Sequence, residues 1–401
     1  MTEWREVTIE ELAEKIAMGP FGSDIKVETF KPCGVPIISG KHLHETRMRD
    51  KGFNFISEEH ADKLSNANVF RGDVIFTHAG NIGQVSFIPE NSKYERYVIS
   101  QRQFYLRCNS NVLDYEFIAY YFKSPYGQYQ LLANANQTGV PSLAQPVSYL
   151  KSIKVLLPPL TEQKAIAEVL SSLDDKIDLL TRQNKTLEDL AQAYFRKWFI
   201  EDASDEWEVG KAKDYFEIGI GKTPPRKEEH WFSKNNNDVV WVSISDMGKA
   251  GMFIGDSSEY LTKNAVKQFN IKRVPKGAII LSFKLTVGRV AIALRDFTTN
   301  EAIAHFIYRN LYEREYLYFY LKTFDYYSLG STSSIATAVN SKIIKDMPFV
   351  MPDVETLKKY HKIAAPMFSK IESNTNQILT LQKIRDTLLP KLISGEIRVK
   401  M

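Results

Sequence analysis

Pro158-Pro159-Leu160-Thr161-Glu162-Gln163-Lys164-Ala165-Ile166-Ala167-Glu168-Val169-Leu170-Ser171-Ser172-Leu173-Asp174-Asp175-Lys176-Ile177 opens the longest regular pattern in the chain. The two prolines end the strand before it, and Thr161-Glu162-Gln163 offers an N-cap hydroxyl and early acceptors for a helix. Apolar positions then follow at alternating steps of four and three: Ile166, Leu170, Leu173, Ile177, Leu180, Asn184, Leu187, Ala191, Tyr194 and Trp198. This heptad seam predicts one helix over Leu160–Phe199, roughly 60 Å long at ~1.5 Å per residue. Such a seam needs a partner.

The partner is found by looking for the same unit again. Ile371, Asn374, Ile378, Leu381, Leu388 and Leu392 keep the same frame near the end of the chain, with Arg385 on the seam and Gly395 as a stop. Pro366 is expected to kink the first turns of this second helix. Upstream, Trp4-Arg5-Glu6-Val7 recurs as Trp207-Glu208-Val209, and Gly72-Asp73-Val74-Ile75-Phe76 as Gly277-Ala278-Ile279-Ile280-Leu281. Gly83 then matches Gly288, and Val155-Leu156-Leu157-Pro158 matches Phe349-Val350-Met351-Pro352. Ordered agreement along two halves indicates an internal duplication.

Each half begins with short β-branched and aromatic runs broken by turns, such as Val35–Gly40 and Val239–Ile244, which read as strands. Short helices are expected at Tyr115–Phe122 and Glu315–Lys322. The predicted fold is α+β: two mostly-β domains separated by two long helices that form an antiparallel coiled coil, in an internal pseudo-two-fold repeat. The expected boundaries are 1–158, 159–203, 204–352 and 353–401. Asn184 and Asn374 on the seams either fix the register of the helix pair or lie near a wet end.

Composition narrows the function classes. With 52 Lys and Arg against 48 Asp and Glu, the formal charge is +4, too small by itself to identify a nucleic-acid partner. No run approaches the ~20 apolar residues of a membrane span, and Met1–Glu6 has no apolar signal core, so a cytoplasmic protein is expected. Cys33 and Cys108 cannot make a disulfide framework. Gly221-Lys222-Thr223 resembles the end of a phosphate-binding loop, but Phe216 stands where that loop needs glycine and Pro224-Pro225 blocks its helix. His42 and His44 are expected on one strand face without a third ligand. Neither a catalytic residue nor a metal or cofactor site is predicted, which favours a binder or scaffold over an enzyme.

The helix beginning at Pro158 resembles the central conserved helix of type I restriction–modification specificity (S) subunits. Leu388-Leu389-Pro390-Lys391-Leu392-Ile393-Ser394-Gly395-Glu396-Ile397 resembles that family's usual ending. Phe195-Arg196-Lys197-Trp198-Phe199 and the paired loops His78–Ile82 and Phe283–Val287 fit as well. Tyr360, Ala364 and Arg385 depart from the aliphatics expected on the second seam. The resemblance covers the whole chain. It implies a non-catalytic subunit in which two target-recognition domains each read half of a split double-stranded DNA site. The helices would set the gap and dock two methyltransferase (M) subunits, which motor/endonuclease (R) subunits would join. S-adenosylmethionine, ATP and magnesium would belong to those subunits. The rival reading is a coiled-coil protein-binding scaffold with two β ligand-binding domains and no DNA role.

Phosphates are met by Lys, Arg and backbone amides, and base edges by polar side chains on turns. The candidate segments are Gly19–Lys26, Lys41–His44, His78–Asn81 and Asn136–Ser142 in the first half. In the second they are Gly221–Lys227, Ser243–Asp246, Lys284–Thr286 and Ser331–Ser334. Within them Lys26, Lys41, His44, His78, Asn81, Gln137, Thr138, Lys222, Thr223, Ser245, Lys284, Thr286, Ser331 and Thr332 are the candidate DNA contacts. Lys176, Arg182, Lys185 and Glu188 are expected on outer helix faces as candidate methyltransferase contacts. Tyr126, Tyr129, Tyr326 and Tyr327 read as core or helix packing.

Overall fold

The computed structural model describes residues 4–136, 139–329 and 340–399. The chain forms two compact units, residues 1–176 with 381–401, and residues 177–380. The long helices Leu160–Arg196 and Val354–Ile393 each contribute a stretch to both units.

In the first unit, strand Arg5–Thr8 closes antiparallel onto Lys154–Leu157, so the two ends of the sheet domain meet. One antiparallel sheet orders the strands Ala13–Met18, Gln103–Cys108, Val74–Thr77 and Val85–Phe87. A second orders Asn54–Ile56, Val35–Ile38, Tyr97–Ile99 and Asn68–Val69, with its middle pair parallel. Val74–Thr77 is buried on both faces, so its run of apolar residues does not alternate. Helix Tyr115–Lys123 forms as expected, started by the Asp114 carboxylate accepting from Phe117 N–H at 2.8 Å.

The second unit repeats this plan. Glu208–Lys211 closes onto Pro348–Met351. The main sheet orders Glu217–Ile220, Ile303–Ile307, Ile279–Ser282, Val290–Ala293 and Phe253–Ile254. Val239–Val242 pairs in parallel with Thr298–Thr299, as Val35–Ile38 does with Tyr97–Ile99. The strand expected over Val239–Ile244 stops at Val242, because the Ser243 hydroxyl caps helix Ile244–Lys249. The matched glycines have one purpose: Gly72 and Gly277 sit at φ +80° and +86°, and Gly83 and Gly288 at +84° and +92°. These are left-handed turns that glycine adopts without penalty.

Within each unit the two helix stretches run antiparallel. In the first, Ile166, Ala167 and Leu170 share a core with Leu389, Leu392 and Ile393. Arg385 reaches Asp174 at 2.7 Å there, which is why a cation is tolerated on the seam. In the second, buried Asn374 donates to Gln183 at 3.0 Å and to Asn184 at 2.9 Å, so the asparagines meet across the pair. Tyr360 and Ala364 are fully buried, and the Tyr360 hydroxyl donates to the Ala191 carbonyl at 3.1 Å. These departures from an aliphatic seam are therefore part of the packing.

Two local expectations are corrected. The first helix starts at Leu160, so Thr161 lies inside it and the adjacent acceptors are tertiary fasteners. The Gln163 amide bridges Asp114 N–H and the Val112 and Pro158 carbonyls, while Glu162 accepts from Trp4 Nε1 at 3.1 Å. After Ala191 the fully buried positions are Phe195 and Phe199; Tyr194 is exposed, while Trp198 stays on the seam, half-buried against Tyr360 of the second helix. There the helix also packs on Tyr316 and Phe319, and its last turn, Lys197–Glu201, widens to a π-helix. The second helix continues through Pro366, flanked by the buried Ala364 and Phe368, and Gly395 follows its end at φ +74°.

Candidate nucleic-acid interface

At one edge of the first unit's sheets, backbone hydrogen bonds gather the candidate turns. The Gly19 amide donates to the Gln103 carbonyl at 2.8 Å, Ser100 to Ile38 at 2.8 Å, and His78 to Arg102 at 2.9 Å. Gly80 donates to Pro141 at 2.9 Å and Leu143 to His78 at 2.8 Å. The loops at 19–26, 39–44, 78–81 and 139–142 thus surround the turn Ser100–Gln103. A Cβ at Gly19 would lie 2.1 Å from the Ser100 carbonyl oxygen, so only glycine permits this approach. A cleft of about 240 Å³ opens beside the turn, lined by Phe30, Ser39, Lys41, Ser100, Gln101 and Arg102 among others.

Lys26, Lys41, His44 and Asn81 are exposed on these turns. His78 is not free in the same way. Its Nε2 lies 3.0 Å from the Gln101 carbonyl, its ring packs near Phe104, and burial pushes its pKa down. It is a neutral brace of the turn. His42 is a brace too: its Nδ1 accepts the Ser39 amide at 2.9 Å. It lies in the short helical turn Gly40–His42 with His44 beyond it, so the two histidines do not share a strand face. Gln101 and Arg102, both exposed, were missed by sequence reasoning. Their signal was a short polar turn between two apolar strands, recurring 200 residues later as Asn300-Glu301-Ala302.

The second unit is laced in the same way. Gly221 donates to Ile303 at 3.0 Å, Asn300 to Val242 at 3.1 Å and Phe283 to Ala302 at 2.9 Å. The side chains differ. Lys222 Nζ donates to the Phe269 carbonyl at 2.8 Å, and Thr223 donates to the Glu301 carboxylate. Both expected DNA contacts are thereby tied into the fold. Ser245 is exposed on the capped helix Ile244–Lys249. Lys284 and Thr286 are exposed on either side of Leu285, which is 97% exposed at φ +61°. Gln137, Thr138, Ser331 and Thr332 lie outside the described residues.

On the helices, Lys176 is exposed, Arg182 pairs with Asp178 at 2.9 Å, and Lys185 pairs with Asp189. Glu188 corrects the expectation of an outer face. It accepts from the Tyr318 hydroxyl at 2.7 Å and from Lys322, so it joins the helix to the second sheet domain. Tyr126 and Tyr129 are exposed, contrary to expectation, because helix Pro125–Leu132 turns its Gly127 and Leu131 face inward, and Tyr327 is exposed on the short turn Tyr326–Leu329. Tyr326 packs inward, its hydroxyl donating to the Leu321 carbonyl at 2.6 Å.

Among the described residues no group of three or more His, Cys, Asp or Glu side chains could hold a metal ion. No helix there is long and apolar enough to cross a membrane. The turns instead present cations, amides and hydroxyls on backbone-locked loops. That chemistry meets phosphates and base edges by hydrogen bonds and charge.

Comparison with known proteins matches residues 1–189 and 204–384 to the family described as type I restriction modification DNA specificity domain. The chain is 28% identical to the specificity subunit of the type I restriction enzyme MjaIX of Methanocaldococcus jannaschii, over 99% of this chain and 94% of that one. It is 23% identical to the HindI specificity subunit of Haemophilus influenzae, over 82% and 87%. The crystal structure of the type I restriction–modification S subunit from M. genitalium shares the fold, with a TM-score of 0.57 at 18% identity, covering 99% of this chain and 96% of that one.

Proposed function

The chain belongs to the type I restriction modification DNA specificity family, and from that premise we propose how it divides its work. Each sheet domain reads one half of a split duplex-DNA target through its laced turns. The paired helices hold the spacing and dock two methyltransferase subunits, with motor/endonuclease subunits joining that core. The chain performs no bond chemistry itself. Methylation, ATP hydrolysis and cleavage are the work of its partners.

The observation that carries this reading is the repeated lacing. Two units bring variable, polar turns to one sheet edge with the same backbone bonds, Gly19 to Gln103 and Gly221 to Ile303. A conserved frame with interchangeable contacts suits the reading of two different short sequences. A fixed spacing also makes two weak half-site contacts act as one strong bivalent contact.

The test is the methylome of cells that co-express this chain with its methyltransferase subunit. A new bipartite motif that vanishes without this chain is the expected result. Exchanging residues 205–352 then changes one half of the motif only. An active, co-purifying pair that writes no such motif sinks the reading.

A further inference from the structure

Leu285 is the most exposed of the large apolar side chains among the described residues, at 97%. Its backbone is left-handed, φ +61°, a conformation unfavourable for a side chain with a Cβ. The corresponding position of the first unit, three residues after its strand and three before the matched glycine, is Gly80 at φ +86°. The second unit therefore carries leucine where the same turn is made with glycine in the first.

The conformation is imposed by its surroundings. Thr286 N–H donates to the Lys284 carbonyl at 2.7 Å, closing a tight turn around Leu285. The Ser282 hydroxyl donates to the Thr286 carbonyl at 2.5 Å, and Gly288 N–H donates to the Ser282 carbonyl at 3.0 Å. The left-handed backbone acts against the stability of the isolated chain, and the unburied side chain contributes nothing to offset it. That strain is not offset by burial of the side chain, and such outliers gather where a partner is met. The turn also bears exposed Lys284, and belongs to the edge where Gly221, Asn300 and Phe283 are laced. The first unit's most exposed large apolar side chain, Phe21 at 84%, likewise sits on a loop at its laced edge.

We propose that Leu285 makes a direct apolar contact with a base of the duplex-DNA half-site read by the second unit, while Lys284 holds the neighbouring phosphate. This rests on the specificity-subunit reading above. Two kinds of base surface offer that contact: the C5-methyl of thymine in the major groove, and a base step opened from the minor groove.

The experiment uses the complex of the full chain with its methyltransferase subunit. Its duplexes carry either the motif found in the methylome or a scrambled sequence. Leu285→Gly removes the side chain and relaxes the backbone, so its thermal midpoint is expected to stay level or rise. Its affinity for the motif duplex is expected to fall about tenfold, with affinity for the scrambled duplex kept within about twofold. If the lost contact is a thymine methyl, replacing that thymine by uracil weakens the wild type to the same degree and leaves Leu285→Gly unchanged. If it is a base step, 2-aminopurine fluorescence rises on binding the wild type and not the variant. Motif affinity unchanged in Leu285→Gly overturns the proposal, as does an equal loss on both duplexes. Loss of methyltransferase co-purification assigns the residue to a protein contact and overturns it too. A wild-type complex that does not distinguish the duplexes overturns the specificity reading itself, a different outcome from a discriminating wild type with an unaffected variant.

Discussion

The two sheet domains share a backbone and differ in almost everything polar inside it. Asp73 in the first, nearly inaccessible to solvent, is held by Arg107 through two bonds of 2.8 and 2.7 Å. The same positions in the second unit, read through the matched glycines and strand register, are Ala278 and Ile307. Gln84 donates to the Gly40 carbonyl at 3.0 Å, and Arg289 does the same for Ile244 at 2.7 Å. The Ser39 amide finds His42 as its acceptor, and the Ser243 amide finds Asp246, each at 2.9 Å. Backbone bonds and buried apolar strands carry the frame. Side chains only have to satisfy what that frame leaves unpaired, and more than one residue type does so.

The largest effect is expected at the buried ion pair. Arg107→Ile leaves the Asp73 carboxylate buried without its cation, a loss of about 3 kcal/mol or more. The double change Asp73→Ala with Arg107→Ile copies the second unit and should recover more than half of that loss in denaturant unfolding. If the double variant is no better than the single, the two interiors are not interchangeable and the comparison breaks.

Acid should separate the units next. His305 occupies the register position of Tyr105, is buried, and lies 2.6 Å from Thr299 Oγ1. Burial pushes its pKa from 6.5 down to about 4. An imidazole that binds protons more weakly when folded gives stability that is present above pH 6.5 and lost as pH falls towards 4. The loss is on the order of 3 kcal/mol. His42 and His78 are also held down by burial, so the first unit weakens in the same sense. His305→Gln should spare only the second unit, seen as amide protection retained at pH 5 in strand Ile303–Ile307. Equal loss of protection in wild type and variant would sink the assignment.

A smaller and symmetric effect sharpens the shared frame. A Cβ at Gly221 would meet the Asn300 carbonyl oxygen at 2.1 Å, just as one at Gly19 meets that of Ser100. Gly19→Ala and Gly221→Ala should each cost about 1–3 kcal/mol, and by similar amounts in calorimetry. A large cost in one and none in the other would show that the two edges are not built alike.

What was legible in the sequence follows from this division. The heptad seam, the duplication and the strand-loop glycines were readable because period and backbone geometry leave marks on residue type. The turns were readable as groups, since Gly19–Lys26 and His78–Asn81 do converge on one edge. Single contacts were not. Nothing local reveals that Lys222 finds the Phe269 carbonyl, or that Glu188 faces Tyr318 and Lys322, because those partners are distant in sequence. The turn at Gln101 and Arg102 carried no glycine or proline to mark it. The seam itself slipped by one residue at Phe195, where a second partner, the helix bearing Tyr316 and Phe319, decides which side is buried.

The helix pair offers the smallest effect and the clearest contrast with the ion pair. Asn374 uses its amide hydrogens on Gln183 and Asn184, while its carbonyl oxygen is buried with no hydrogen-bond partner. A buried polar group that is half satisfied contributes little net stability, and apolar replacement on a seam is often neutral or favourable. Asn374→Leu should therefore leave the thermal midpoint level or slightly raised. The change belongs in the register, which the asparagine contact favours over slipped alternatives. Spin labels at the exposed positions Thr181 and Asn376 should give a broader distance distribution in Asn374→Leu than in wild type. An unchanged distribution would mean that the aromatic packing at Phe195, Phe199 and Tyr360 alone fixes the register, with the asparagines as passengers.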